Sequence, residues 1–302
     1  MLIRSVLLAS LFAGCQDAAP PPPEFDGDRA LAYVRTQLDF GPRIPGTDGH
    51  AKMAAWLDSL LRTRADTVVV QAWDHVSQDG KTLPLRNLIA RFNPQATTRL
   101  LFLAHWDTRP RADAAGSSDS TAPVPGANDG GSGVAILLSM ADALKARAPT
   151  IGVDLLFVDG EDYGDFGVDK DVLLGSRYYA KNPLPGPKPR FAVLLDMVGD
   201  AMLQLRQEGY SLTGAPDVVE RVWKTAERLG YQTTFLNEPM SGMTDDHIAL
   251  QGIGIPAIDL IDFDYGPNNA YHHSPEDTFD KVSARSLKVV GDVVMAVIRE
   301  HK

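Results

Sequence analysis

The sequence predicts an α/β fold, a three-layer α/β/α sandwich around a mixed, mainly parallel sheet. Three observations lead there. Strand-like apolar runs alternate with helical stretches along the chain, an order that builds crossover units. Two of these runs, Arg99–His105 (RLLFLAH) and 153–158 (VDLLFV), are apolar almost throughout, as strands covered on both faces are. Carboxylates and histidines stand just past the strand ends, where folds of this class gather ligand groups.

The chain has 302 residues, 44% of them hydrophobic and 23% charged, which is enough for one large domain with a sizeable core. Its net charge of −10 argues against nucleic acid or an anionic membrane surface as a partner. Residues 1–14 carry one cation, Arg4, then an apolar run from Ser5 to Ala13, and end in small residues before Cys15. This reads as a secretory signal, too short to span a bilayer as a mature helix. LFAGC resembles the lipobox of bacterial lipoproteins, with Phe12 where leucine is usual. That resemblance implies a lipidated Cys15, the only cysteine, and an extracytoplasmic protein anchored to a bacterial membrane through its lipid. An ordinary cleaved signal with an incidental cysteine is the alternative. Residues 15–25, with four consecutive prolines, form a stiff spacer, and 26–302 a single domain.

Within that domain a helix is expected over 26–40, with Leu31, Val34 and Leu38 on one face. After the loop GPRIPGT, Asp48 is expected to cap a second helix running to about Arg64. Strands follow at 67–73, 86–92 and Arg99–His105, and 111–125 is a polar loop. A glycine-rich turn at Asp129 leads into a helix to Lys145; then come the strand 153–158 and a helix over 172–181. The strand 192–198, the helix 217–229, the strand 255–261 and the helix Ala284–Glu300 complete the chain.

The chemistry gathers at the strand ends. VDLLFV runs into DGEDYGDFG, which sets Glu161 and Asp162 side by side on a turn. Adjacent side chains there point in different directions, so one can bind a metal while the other handles protons. His105 and Asp107 (AHWDT), Asp129 (NDGGSG), Asp196 (LLDMVG), Asp245, Asp246 and His247 (TDDH), and His272 and His273 (YHHSPEDT) follow other predicted strands or turns. Histidine nitrogen and carboxylate oxygen without thiolate suit a catalytic zinc. Trp106 and Tyr271 are candidates for the pocket wall or for core packing. His50, His75 and His301 read as surface residues, and Asp200, Asp262 and Asp264 as solvated loop carboxylates.

Taken together, AHWDT, NDGGSG, DGED, LLDMVG, DDH and HSPEDT resemble the zinc aminopeptidase superfamily that includes the animal-type glutaminyl cyclases. The resemblance covers nearly the whole mature chain. It implies Asp129, Asp162 and His273 as ligands of one zinc in a cyclase, with His105 and Asp196 joining them around two zinc ions in an aminopeptidase. By the same likeness Glu161 is the general base, Asp245 an acid sharing a proton with it, and His272 a position of the substrate-binding wall, for which Trp106 and Tyr271 are the other candidates. Peptide or protein N-termini are the implied substrates, and the chain is expected to be a monomer. Three features favour the cyclase branch: the length of 163–173, which is expected to lie over the site; the acid at Asp245; and the segments FGPRIPGT and NLIARFNP. Asp162 stands where both branches mostly carry Glu, His272 where animal cyclases carry Trp, and Asp259 in place of a histidine. The alternatives are a zinc aminopeptidase and, more remotely, an inactive protein that binds peptide N-termini.

Overall fold

The computed structural model describes residues 25–114 and 119–301, so the predicted signal, the lipobox and most of the spacer lie outside the described residues. One boundary shifts. Phe25, assigned to the spacer, is buried; its N–H donates to Asp292 Oδ1 at 3.2 Å, and its ring occupies the space a Cβ on Gly291 would need. It therefore belongs to the folded body.

α1 (Gly27–Leu38) starts beneath Asp26, whose carboxylate accepts the Arg29 N–H. α2 (Asp48–Arg62) is capped by Thr47 rather than Asp48, because the Thr47 hydroxyl accepts the His50 N–H. β1 (Thr67–Val76) and β2 (Thr82–Phe92) form an antiparallel hairpin, both longer than the sequence suggested. β3 (Arg99–His105), α3 (Ser132–Ala146), β4 (Gly152–Val158), α4 (Leu174–Lys181) and β5 (Ala192–Asp196) follow. Then come β6 (Leu205–Gln207), α5 (Gly209–Gly214), α6 (Pro216–Arg228), β7 (Phe235–Pro239), α7 (Asp246–Gly252), β8 (Ala257–Ile261) and α8 (Ala284–Glu300). The short elements β6, α5, β7 and α7 are absent from the sequence reading: β6 and β7 pair only with each other, and α5 and α7 span 6 and 7 residues, too few to show a period.

The main sheet has six strands in the order β1-β2-β4-β3-β5-β8. β4, β3, β5 and β8 run parallel, and β2 meets β4 antiparallel, so the sheet is mixed and mainly parallel as expected. α1, α2, α3, α6 and α8 pack their apolar residues on one face, while Tyr179 of α4 and Leu250 of α7 help cover the other. That is the three-layer sandwich. Burial of each Leu, Ile, Val or Phe in these layers contributes roughly 1.5–3 kcal/mol. Asp154, the one charge inside β4, is held by Arg99 at 2.5 Å and Arg91 at 3.0 Å across neighbouring strands. It is a paired buried charge.

Candidate active site

Parallel strands place their last residues on one edge, and here β3, β4 and β5 deliver His105, the Asp159–Asp162 turn and Asp196 to the same end of the sheet. Two further carboxylates fix the backbone of the turns. Asp107 accepts the N–H groups of Glu161 at 3.0 Å and Asp162 at 3.1 Å. Asp277 accepts those of Asn128 at 2.8 Å and Asp129 at 3.2 Å, and the Tyr265 hydroxyl at 2.7 Å. The glycines after Asp129 are required by this crowding. Gly130 has φ +76°, and a Cβ there would stand 2.3 Å from the Asp107 carbonyl oxygen.

Asp129, Glu161, Asp162, Asp196, Asp245 and both His272 and His273 line one cavity of about 280 Å³. Phe166, Met197, Met243, Ile261 and Phe263 supply its apolar wall. His105 Nε2 lies 3.1 Å from both Asp129 Oδ1 and Asp196 Oδ1, and His273 Nε2 lies 3.3 Å from Asp162 Oδ1 and 3.7 Å from Asp129 Oδ2. Most of the predicted site residues thus converge. The expectation that 163–173 lies over the site agrees with Phe166 in the cavity wall, and the segment is tied back by the Leu173 N–H on the Glu161 carbonyl at 2.9 Å.

Burial and crowding set the protonation preferences. Glu161 is pushed well above the usual carboxylate range by burial, opposed by His105 and reinforced by Asp162 and Asp245. Burial also raises Asp245, and it raises Asp196 to about 7 against the pull of His105. Asp129 is held low despite burial by the hydrogen bond and charge of His105, with His273 adding to this. His273 loses charge stability to burial, but Asp162 and Asp113 more than offset it and lift the ring to about 10. Its neighbour His272, buried and stacked on it with centroids 3.7 Å apart, is lowered to about 3.

A cation fits these donors. Asp129 Oδ2 and Asp162 Oδ2 are buried without a hydrogen-bond partner, an arrangement that is costly unless a positive group meets them. Among the described residues, the compact ligand groupings are Asp129 with His272 and His273, and His105 with Asp129 and Asp196. Asp162 stands outside both groupings; Arg109 Nη1 donates to its Oδ1 at 2.5 Å, and Oδ2 is its open atom.

Several expectations are corrected. Trp106 is fully buried, donates to the Arg86 carbonyl oxygen and stacks on His50, so it belongs to the core and not to the cavity wall. Tyr271 lies against Tyr265 and Lys281, outside the cavity lining. His50 is buried, not superficial: its Nε2 lies 2.9 Å from Asp159 Oδ1, joining α2 to the Asp159–Asp162 turn. His75 lies 2.7 Å from Asp171, and His301 packs edge-on to Phe191, so neither is a free surface residue. Asp200 and Asp262 are buried: each accepts an N–H two residues on, from Met202 and Asp264, and Asp262 also accepts the Gln204 N–H from a distant segment. The anchoring roles of Asp107 and Asp277, and the contacts of Arg109 and Asp113, were not legible; their signal is only a polar residue near a motif.

With this geometry in place, the class is defined: the chain belongs to peptidase family M28, whose model matches residues 87–298. Its relatives carry two kinds of name. The glutaminyl cyclase of Bacteroides thetaiotaomicron superposes with a TM-score of 0.88 at 37% identity, covering 93% of this chain and 100% of that one. A leucine aminopeptidase precursor from the same organism also gives 0.88, at 38% identity, covering 93% and 99%. A glutaminyl-peptide cyclotransferase-like protein of Bos taurus is 27% identical over 256 residues, 72% of this chain and 62% of that protein. The chain spans between 39% and 62% of the length of the first curated relatives it matches.

Proposed function

We propose that this protein is a zinc-dependent glutaminyl-peptide cyclotransferase, converting the N-terminal glutamine of peptides to pyroglutamate with release of ammonia. The observation that carries the reading is the meeting, in one partly apolar cavity, of the base Glu161 with a second carboxyl group at Asp245, both raised by burial. The similarity to bacterial proteins named glutaminyl cyclases supports it.

Asp129, Asp162 and His273 would hold the zinc, which when bound supplies Lewis-acid polarisation of the γ-amide carbonyl. Glu161 takes a proton from the substrate α-amine as its nitrogen bonds to the carbonyl carbon of the γ-amide, and returns that proton to the amide nitrogen leaving as ammonia. A base poised high by burial suits this double role, since it gives the proton back readily. Asp245 keeps Glu161 in place by sharing a proton with it. Phe166, Phe263 and His272 exclude water, which matters because water at that carbon would yield glutamate instead of the lactam. The predicted lipid anchor and extracytoplasmic location remain part of this proposal.

A second reading, a two-zinc aminopeptidase, draws on the His105, Asp129 and Asp196 grouping. Incubation of the purified protein with one Gln-initiated and one Leu-initiated peptide separates the two. Ammonia without chain shortening is expected; release of free leucine would overturn the cyclase reading.

A further inference from the structure

His273 is held in an unusual way. Its backbone has φ +50°, a left-handed conformation that costs a non-glycine residue energy and persists only where surrounding contacts enforce it. Two of those contacts come from the polar loop after β3. The Ala114 N–H donates to the His273 carbonyl oxygen at 3.2 Å, and Asp113 Oδ1 lies 3.0 Å from His273 Nδ1. The loop closes on itself at its base through Ala112 N–H to the Ala122 carbonyl and Val124 N–H to the Arg109 carbonyl.

Asp113 has a second partner. Arg109, nearly fully buried, reaches both Asp113 carboxylate oxygens through Nε and Nη2 and extends Nη1 to Asp162 Oδ1. His273 Nε2 in turn lies 3.3 Å from the same Asp162 oxygen. The four side chains form a closed ring: His273, Asp113, Arg109, Asp162.

We infer that Asp113 and Arg109 are positioning residues for the metal. Asp113 accepts the Nδ1–H of the neutral His273 ring and so leaves the Nε2 lone pair facing Asp129 and Asp162, because the hydrogen bond at one imidazole nitrogen decides which nitrogen is free to ligate. Arg109 occupies Oδ1 of Asp162 and leaves the buried Oδ2 unpartnered, the oxygen that would be free for a metal. This also answers the departure at Asp162. Its side chain is one methylene shorter than glutamate, and that short arm is held by Nη1 of a guanidinium whose other edge is fixed in a two-point pairing with Asp113. The inference rests on the metal part of the proposed function, not on the choice between cyclase and peptidase.

The test is zinc affinity, measured by chelator competition on the full folded domain for the wild type, Asp113→Ala and Asp113→Asn, with thermal melts of the zinc-free proteins as a fold control. Nitrogen-15 shifts of the His273 ring in the zinc-loaded protein report which nitrogen holds the proton. Asp113→Ala is expected to weaken zinc about 10–100-fold, the range for loss of a carboxylate behind a metal-bound histidine. Asp113→Asn, which keeps an acceptor but not the charge, should fall between the two and carries the test if the alanine variant does not fold. Zinc affinity equal to wild type in both variants, with the Nδ1 proton unmoved, would overturn the inference while leaving the proposed function standing. A wild type that takes up no zinc would overturn the metal reading and this inference with it.

Discussion

At the scale of residues, Glu161 concentrates the chemistry. It is buried, it lines the cavity, and Asp107 fixes its backbone N–H. Glu161→Gln should reduce ammonia release from a Gln-initiated peptide by a factor on the order of 10²–10⁴ while zinc content by metal analysis stays near normal. Loss of zinc in that variant would mean that the base and ligand roles of Glu161 and Asp162 are exchanged. Asp245 gives a test with a sign. Its negative charge raises Glu161, so Asp245→Asn should let Glu161 ionise more easily and move the acid limb of the kcat/KM profile to lower pH. A limb that stays in place would remove Asp245 from the proton-sharing role. His105, Glu161, Asp162 and Asp196 were legible because each stands at the end of an apolar run that is easy to locate, whereas Asp129, Asp245 and His273 sit after polar loops and were reached through the motifs around them. Trp106 and His50 were misread because sequence position does not reveal which side chain turns inward: they stack on each other beneath the catalytic turn, with centroids 4.4 Å apart.

At the scale of elements, α3 carries Asp129 at its approach and seats itself on the sheet through glycine. A Cβ on Gly133 would lie 2.0 Å from the Leu195 carbonyl oxygen of β5 and 2.9 Å from the Ala104 side chain of β3. Gly133→Ala should therefore lower stability by about 1–3 kcal/mol despite the better helix propensity of alanine, visible as a reduced melting temperature. An unchanged melt would show that the helix shifts outward freely. The long helices and central strands were legible because 3.6-residue and all-apolar patterns need several turns or residues to emerge. β6 and β7 were not, since LRQ and FLNEP are short, largely polar and stabilised by their mutual pairing.

At the scale of the whole molecule, several buried acids make stability depend on pH. Burial raises Asp159 and Asp262 to about 6, and Asp196 and Asp277 to about 7. A carboxyl group with a raised folded-state pKa stabilises the fold below its unfolded value, near 4, and that contribution disappears as pH rises through the folded value. His272, lowered to about 3, and His301, lowered by burial, act oppositely over part of the same window, but the raised acids, Glu161, Asp245, Asp246 and Asp259 among them, outnumber them. Metal-free protein should thus lose thermal stability between about pH 4 and 7. Zinc competes with protons for His273 and the carboxylates, so the rise in melting temperature on adding zinc should grow with pH over that window. A zinc shift independent of pH, read by calorimetry, would show that these groups are not the ones that meet the metal. The fold class was legible at this scale from the alternation of elements alone; the start of the folded body was not, because nothing in the sequence marks Phe25 as the residue that docks on α8.

The two backbone clamps, Asp107 on the Glu161–Asp162 turn and Asp277 on the Asn128–Asp129 turn, have an evolutionary consequence. They hold the backbone of Glu161, Asp162 and Asp129 from outside the segment 163–173, which lines the cavity through Phe166 and ties back to the Glu161 carbonyl through the Leu173 N–H. Lineages sharing this scaffold can therefore vary the Phe166 wall while both carboxylate clamps stay in place.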